Sequence, residues 1–152
     1  MESQEKPGTA ANVAKWFGGA TAPQASAHVC VDSQSIVHVV DDSDIAWGAP
    51  GANNDGLHIE MAGVAAQTRE QWLDTYSVGV LDNAAKVAAE WCKKYSIPAV
   101  ALTPAQVADG KTKGICGHVT VTKAFPKLGT HTDPGANFPW DVFIAKVKAL
   151  IA

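Results

Sequence analysis

The sequence predicts a mixed α/β fold: a small central β-sheet flanked by helices. Three observations predict it. Residues 27–32 and 36–40 are rich in valine, and the polar turn Asp32-Ser33-Gln34-Ser35 between them makes a β-hairpin of the pair. Residues 57–61 alternate cleanly, with Leu57, Ile59 and Met61 on one side and His58 and Glu60 on the other. Residues 68–95 place Trp72, Tyr76, Val80, Ala84, Val87, Trp91 and Tyr95 at helical spacing, one apolar stripe to lay on a sheet.

Taken in order, the chain opens with a short helix over residues 9–17, where Val13 and Trp16 share a face and Gly18-Gly19 ends the turn. Pro23 starts a connection into the hairpin. Residues 41–56 collect Pro, Gly, Asn and Asp, which predicts a long surface loop around Trp47. Gly63 closes the third strand. Thr68 and Gln71 have the spacing of a capping box, in which each side chain satisfies the other's free backbone N–H. A single helix is expected from there to Tyr95, weakened at Gly79 by about 1 kcal/mol relative to alanine and open to bending there. Thr103-Pro104-Ala105-Gln106 repeats the start signal with proline at the first helical position. A last helix over residues 139–150 is expected to bury Phe143, Val147 and Leu150. No repeat or low-complexity tract divides the chain, so residues 1–152 read as a single domain.

Composition narrows the function classes. The chain has 152 residues, 47% of them hydrophobic and 18% charged, enough to bury a core without disulfide staples. A net charge of −3 and a pI near 5.9 argue against nucleic acid or an anionic membrane as partner, since both reward a basic face. The longest helical stretch is interrupted by charged residues, so no bilayer span is expected. The charged start Met1-Glu2-Ser3-Gln4-Glu5-Lys6 has no apolar run behind it, which predicts no signal peptide and synthesis in the cytoplasm. A monomer is expected. Cys30, Cys92 and Cys116 stand at unrelated spacings and read as reduced, mostly buried thiols.

The chemistry-bearing residues cluster late. His118 follows Gly117, and His131-Thr132-Asp133-Pro134-Gly135 sets an imidazole and a carboxylate just before a sharp Pro-Gly turn. Zinc in hydrolases takes three ligands of His, Asp, Glu or Cys type and keeps a fourth position for water. Glu60, on a strand passing such a metal, is placed to take a proton from that water. His131 is placed to donate to a developing oxyanion. The same residues also suit a plainer reading, in which His118 and His131 bond to backbone and Asp133 caps a turn. The third ligand is not evident: His28 reads as a structural histidine, His38 as a surface one and Cys116 as core. His58 shares a face with Glu60 and is the more interesting substitute.

The motifs Ser26-Ala27-His28-Val29-Cys30-Val31-Asp32, Ala46-Trp47, the segment from Asn53 to Gly63 centred on Ile59-Glu60, Gly117-His118 and His131-Thr132-Asp133-Pro134-Gly135 stand in one order along the chain. In that order they resemble the zinc-dependent N-acetylmuramoyl-L-alanine amidases, a family that includes phage endolysins, bacterial recycling amidases and peptidoglycan-recognition proteins. The loop Ala49-Pro50-Gly51-Ala52-Asn53 and the ending Phe138-Pro139-Trp140 are most similar to endolysins of actinobacterial phages. The resemblance implies a Zn2+ cofactor, His118 as the second zinc ligand, Asp133 as the third, and Glu60 as the catalytic acid. It implies that Trp47, with the Asn53 loop, lines a groove for glycan and stem peptide. Two departures stand out. The family's lysine two positions before the third ligand is here His131, and its Trp-His pair is here Trp47-Gly48.

A third departure lies at the front. The family's first zinc ligand is a histidine on a strand ahead of the first helix, and Met1-Glu2-Ser3 stands where that strand would just have ended. The chain is therefore expected to lack that strand, either as part of a longer protein or as a shortened copy. The expected function is hydrolysis of the amide between N-acetylmuramic acid and L-alanine, on the cell wall in the case of a phage lysin. The alternatives are a muropeptide-binding module that does not cut, and a different zinc hydrolase on the same scaffold.

Overall fold

Val29, Cys30 and Val31 are buried on both faces, and this apolar triplet forms the middle of the sheet. The computed structural model describes residues 8–22 and 24–152. The readings of Met1 to Lys6, of Pro23 and of a strand ahead of the first helix lie outside them. Along the chain run α1 (Thr9–Phe17), β1 (Val29–Val31), β2 (Ile36–His38), β3 (Ile59–Met61), α2 (Arg69–Trp72), α3 (Thr75–Tyr95), α4 (Pro104–Ala108), α5 (His118–Ala124) and α6 (Trp140–Ile151). β1 pairs antiparallel with β2, Cys30 opposite Val37, and parallel with β3, Cys30 opposite Glu60. The order β2-β1-β3 makes a mixed sheet with helices around it, as the alternating segments predicted. Among the described residues no strand covers the outer edge of β3.

Residues two apart along a strand share a face. Val29, Val31, Ile59 and Met61 therefore point together into the core, where they meet Val80, Leu81, Ala84 and Ala88 of α3. The opposite face carries Cys30, which is buried, and Glu60, which lines a groove. One register thus separates the side of the sheet that builds the core from the side that carries Glu60.

The long helix differs from expectation. The Thr68–Gln71 capping box forms, but α2 ends after one turn, and α3 starts afresh with Asp74 as its cap, the carboxylate accepting the Ser77 N–H at 2.7 Å. The apolar stripe hides this break because Trp72 and Tyr76 keep the four-residue spacing across it. α3 then continues through Gly79. A Cβ there would lie 3.0 Å from both Cβ and O of Ser33, so the glycine lets the hairpin turn rest directly on the helix.

α6 packs against α3 and buries Phe143 and Val147, whereas Leu150, expected inside, is 43% exposed near the helix end. Phe138 anchors this helix through edge-on contacts with Trp72, Trp140 and Phe143, at ring-centre distances of 5.1, 4.8 and 5.6 Å. α4 has the capping box and N-terminal proline that its sequence predicted.

α5 was not anticipated. Its sequence, His118-Val119-Thr120-Val121-Thr122, is rich in β-branched residues and begins on a glycine with no side-chain cap. The cap comes from elsewhere: the Val119 N–H donates to the backbone oxygen of Asp133 at 2.8 Å. Ile115 makes an isolated parallel bridge with Ala101, and His118 is the first residue of a helix.

Candidate active site

The groove above the sheet encloses about 720 Å³. Its lining includes His58 and Glu60 from β3 and its approach, Asn53 from the long loop, His118 from α5, and Asp133 and Trp140 from the C-terminal segment. The Val119–Asp133 backbone bond clamps the start of α5 to the turn that carries Asp133, so one contact sets the spacing of both side chains.

His118 Nδ1 lies 3.5 Å from Asp133 Oδ2, and His131 Nδ1 lies 3.9 Å from Oδ1 of the same carboxylate. The two imidazoles stack, with ring centres 3.8 Å apart and planes 14° from parallel. His118, His131 and Asp133 bring ligand-type atoms within 4.8 Å of one another, the only such group among the described residues. The contact with His118 holds the Asp133 carboxyl below its ordinary range, against the opposing effect of burial. The His118 Nε2 atom is buried and has no hydrogen-bond partner.

Glu60 is open to the groove, yet the walls around it displace much of its water. That desolvation raises its pKa, the negative charge of Asp133 raises it further, and His118 partly offsets both. Glu60 in turn acts on its ladder partner: burial and then the Glu60 charge push the Cys30 thiol up to about 12. Cys92 and Cys116 are raised by burial as well, so the three free cysteines are inert thiols.

The remaining histidines separate cleanly. His28 uses both ring nitrogens on backbone, Nδ1 accepting the His58 N–H at 3.0 Å and Nε2 lying 3.2 Å from the Asp44 carbonyl oxygen. It is structural, as expected, and so is not a ligand. His38 is exposed on β2. His58 is the histidine whose role the sequence left open. A Cβ on Gly48 would come within 2.8 Å of its Cγ, so the His58 ring fills the space beside the bare position 48. The sequence signal was available, because Gly48 departs from a Trp-His pair ten residues before a histidine.

Burial, followed by the charges of His28 and His118, depresses the His58 pKa to about 4, and its Nε2 is buried without a partner. The folded pKa lies below the unfolded value near 6.5, so His58 favours the fold fully above pH 6.5, and that contribution is lost as pH falls towards 4. Stability should fall by an extra ~1.4 kcal/mol per pH unit across this window, on the order of 3 kcal/mol in all. Urea unfolding at several pH values checks this. His58→Gln should remove about one proton from the slope, and an unchanged slope would show that His58 is not held neutral.

Of the two residues expected to contact substrate, Asn53 lines the groove while its Oδ1 accepts the Ala49 N–H at 2.8 Å and shapes the loop. Trp47 is fixed through its backbone to Ser26, but the residue is 61% exposed and lies outside the groove lining, just before Gly48 and Ala49, which do line it.

Two imidazoles and a carboxylate suit a divalent ion such as zinc, and a carboxyl of raised proton affinity beside them suits hydrolysis of a polar bond. A family model of N-acetylmuramoyl-L-alanine amidases matches residues 2–136. The chain belongs to the N-acetylmuramoyl-L-alanine amidase family. Among solved structures it is similar to the hydrolase AmiA of Staphylococcus aureus, crystallised in complex with its ligand. That likeness has 20% sequence identity and a TM-score of 0.57, over 81% of this chain and 58% of that one. At this identity it shows a shared fold. No curated protein matches the chain. No helix among the described residues is long and apolar enough to cross a membrane.

Proposed function

We propose that this chain hydrolyses the amide bond between N-acetylmuramic acid and L-alanine in peptidoglycan. The observation that carries the reading is the placement of Glu60, its proton affinity raised, under the electrostatic influence of the His118 and Asp133 pair in one groove. His118 and Asp133 are the side chains that would hold zinc. The donor set fits: an imidazole nitrogen, His118 Nδ1, and a carboxylate oxygen, Asp133 Oδ2, lie 3.5 Å apart, close to the separation of neighbouring donors on one ion. When bound, zinc polarises an amide carbonyl and lowers the pKa of its water to about 7.

The protein's own part centres on Glu60. Its carboxylate takes a proton from the attacking water as the new C–O bond forms. It then returns that proton to the alanine nitrogen as the C–N bond breaks, so the amine leaves neutral. The groove walls that raise its pKa make the protonated intermediate state of Glu60 easier to reach. Asn53 is assigned to the substrate where it lines the groove, and Trp47 to a sugar or peptide face at the adjoining loop. The likeness of the Ala49-to-Asn53 loop and of the Phe138-Pro139-Trp140 ending to phage endolysins supports a role in breaking down a bacterial wall. His131, expected as an oxyanion donor, lies beside the Asp133 carboxylate and outside the described lining of the groove.

The test is product analysis after incubating the zinc-loaded protein with purified peptidoglycan. New N-terminal L-alanine should appear with no new reducing sugar ends. Binding of muropeptide without release of L-alanine amino groups would sink the reading.

A further inference from the structure

We infer that His131 is a metal ligand, the third protein donor of the centre formed with His118 and Asp133. The inference rests on the proposal that His118 and Asp133 hold a metal ion. It goes beyond that proposal because the position carries lysine in the family this chain resembles.

Geometry comes first. Metal–nitrogen and metal–oxygen bonds of about 2.0–2.2 Å at tetrahedral angles put neighbouring donors about 3.4 Å apart. His118 Nδ1 and Asp133 Oδ2 are separated by 3.5 Å, and His131 Nδ1 and Asp133 Oδ1 by 3.9 Å. Each imidazole thus addresses one oxygen of a shared carboxylate, and the three residues bring donor atoms within 4.8 Å of one another. Closing from these distances to coordination distances takes a few tenths of an ångström to about 1 Å per side chain.

The stacked rings need one adjustment, since an imidazole lone pair lies in the ring plane and stacked planes do not converge. His131 is free to make it. Its side chain is half exposed, and among the described residues its ring forms no hydrogen bond that a rotation would break. Its backbone is held close by, because Gly135 N–H donates to Thr132 O at 2.9 Å and Val119 N–H to Asp133 O at 2.8 Å. The moving part is a side chain on a fixed turn, and turning it exchanges the stacking on His118 for a place at the ion.

An oxyanion donor would require something else. It would have to present an N–H to the substrate, yet His131 is absent from the described residues that line the groove and faces the Asp133 carboxylate instead. Two imidazoles with one carboxylate match the donor preference of zinc and of its spectroscopic substitute cobalt.

The experiment measures metal binding, with Zn2+ and Co2+ alone as probes, on the full chain and on His118→Ala, Asp133→Ala, His131→Gln and His131→Lys. Thermal unfolding monitors the fold; the exposed position of His131 predicts a change within about 0.5 kcal/mol. Loss of a group that merely orients a ligand weakens binding about 10–100-fold, so loss of a donor should cost at least about 100-fold. Both His131 variants should show that loss, together with a weaker, shifted visible spectrum of the cobalt form. Lysine should not rescue either property, whereas it would serve as an oxyanion donor. Wild-type zinc affinity and an unchanged cobalt spectrum in both His131 variants would overturn the inference, while loss in His118→Ala and Asp133→Ala left the proposed centre standing. A wild-type chain that holds no metal would overturn both.

Discussion

Replacing Glu60 by glutamine should lower turnover on peptidoglycan by about 10²–10⁴-fold, the usual contribution of a positioned general base. Glutamine keeps the shape of the side chain and its place on β3 but cannot accept the proton of the attacking water. Zinc content and muropeptide affinity should stay near wild type, because neither depends on that proton. The same change should alter the pH dependence of stability, with the opposite sign to His58. The folded pKa of Glu60 is raised by desolvation and by Asp133, so its favourable contribution is present below the unfolded value of about 4.5. It is lost as pH rises through the folded pKa, and ionised Glu60 then weighs against the fold. At neutral pH the glutamine variant should therefore melt no lower than wild type, and its advantage should shrink on acidification. Parallel kinetics and thermal melts check both parts. Full turnover in the variant would remove Glu60 from the chemistry.

A second large effect is expected outside the groove lining, at Asp32. This carboxylate is fully buried and accepts three backbone N–H groups: Ala10 at 3.0 Å, Gln34 at 2.9 Å and Ser35 at 2.7 Å. Its own backbone oxygen accepts from the Asn83 side chain at 2.9 Å. Asp32 thus ties the first turn of α1, the β1–β2 turn and α3 to one point. Hydrogen bonds to charged groups contribute about 1.5–3 kcal/mol each and are not additive, so Asp32→Ala should cost about 3–5 kcal/mol. That corresponds to roughly 10 °C in the thermal midpoint of a domain this size. Burial alone would raise the Asp32 pKa, but the amides from Ala10, Gln34 and Ser35 together outweigh it and hold the carboxyl below its ordinary range. Its stabilisation is accordingly present above the unfolded pKa and is lost as pH falls through the folded one. Urea unfolding of Asp32→Ala and Asp32→Asn measures the effect. A loss below about 1 kcal/mol in the alanine variant would show that the three amides find water as readily as they find Asp32.

The two residues illustrate how far local reading reaches. Glu60 was legible because a strand's two-residue alternation puts it on the face opposite Ile59 and Met61, and three consecutive register pairs preserve that assignment. Asp32 was legible only as a turn residue. Its bond to Ala10 spans twenty-two positions, and nothing in either neighbourhood announces it. The break between α2 and α3 was partly legible: Asp74 is an ordinary cap residue, but the unbroken apolar stripe outweighed it.

By itself the sequence determined the elements whose signals are local. These are the β1–β2 hairpin with its polar turn, the alternation of β3, the apolar stripe of α3, and the capping boxes at Thr68 and Thr103. The motif order also placed Glu60, His118 and Asp133 among the candidate residues of one site. Only the tertiary structure decided what depends on distant partners. α1 begins where Asp32 receives the Ala10 N–H, and α5 begins where the Asp133 carbonyl receives the Val119 N–H, despite a β-branched sequence. His58 occupies the space beside Gly48, and His131 lies over His118 against a shared carboxylate. The reason is physical: propensity, periodicity and caps act over a few residues, whereas a backbone N–H without a local partner takes whichever acceptor the completed fold brings to it.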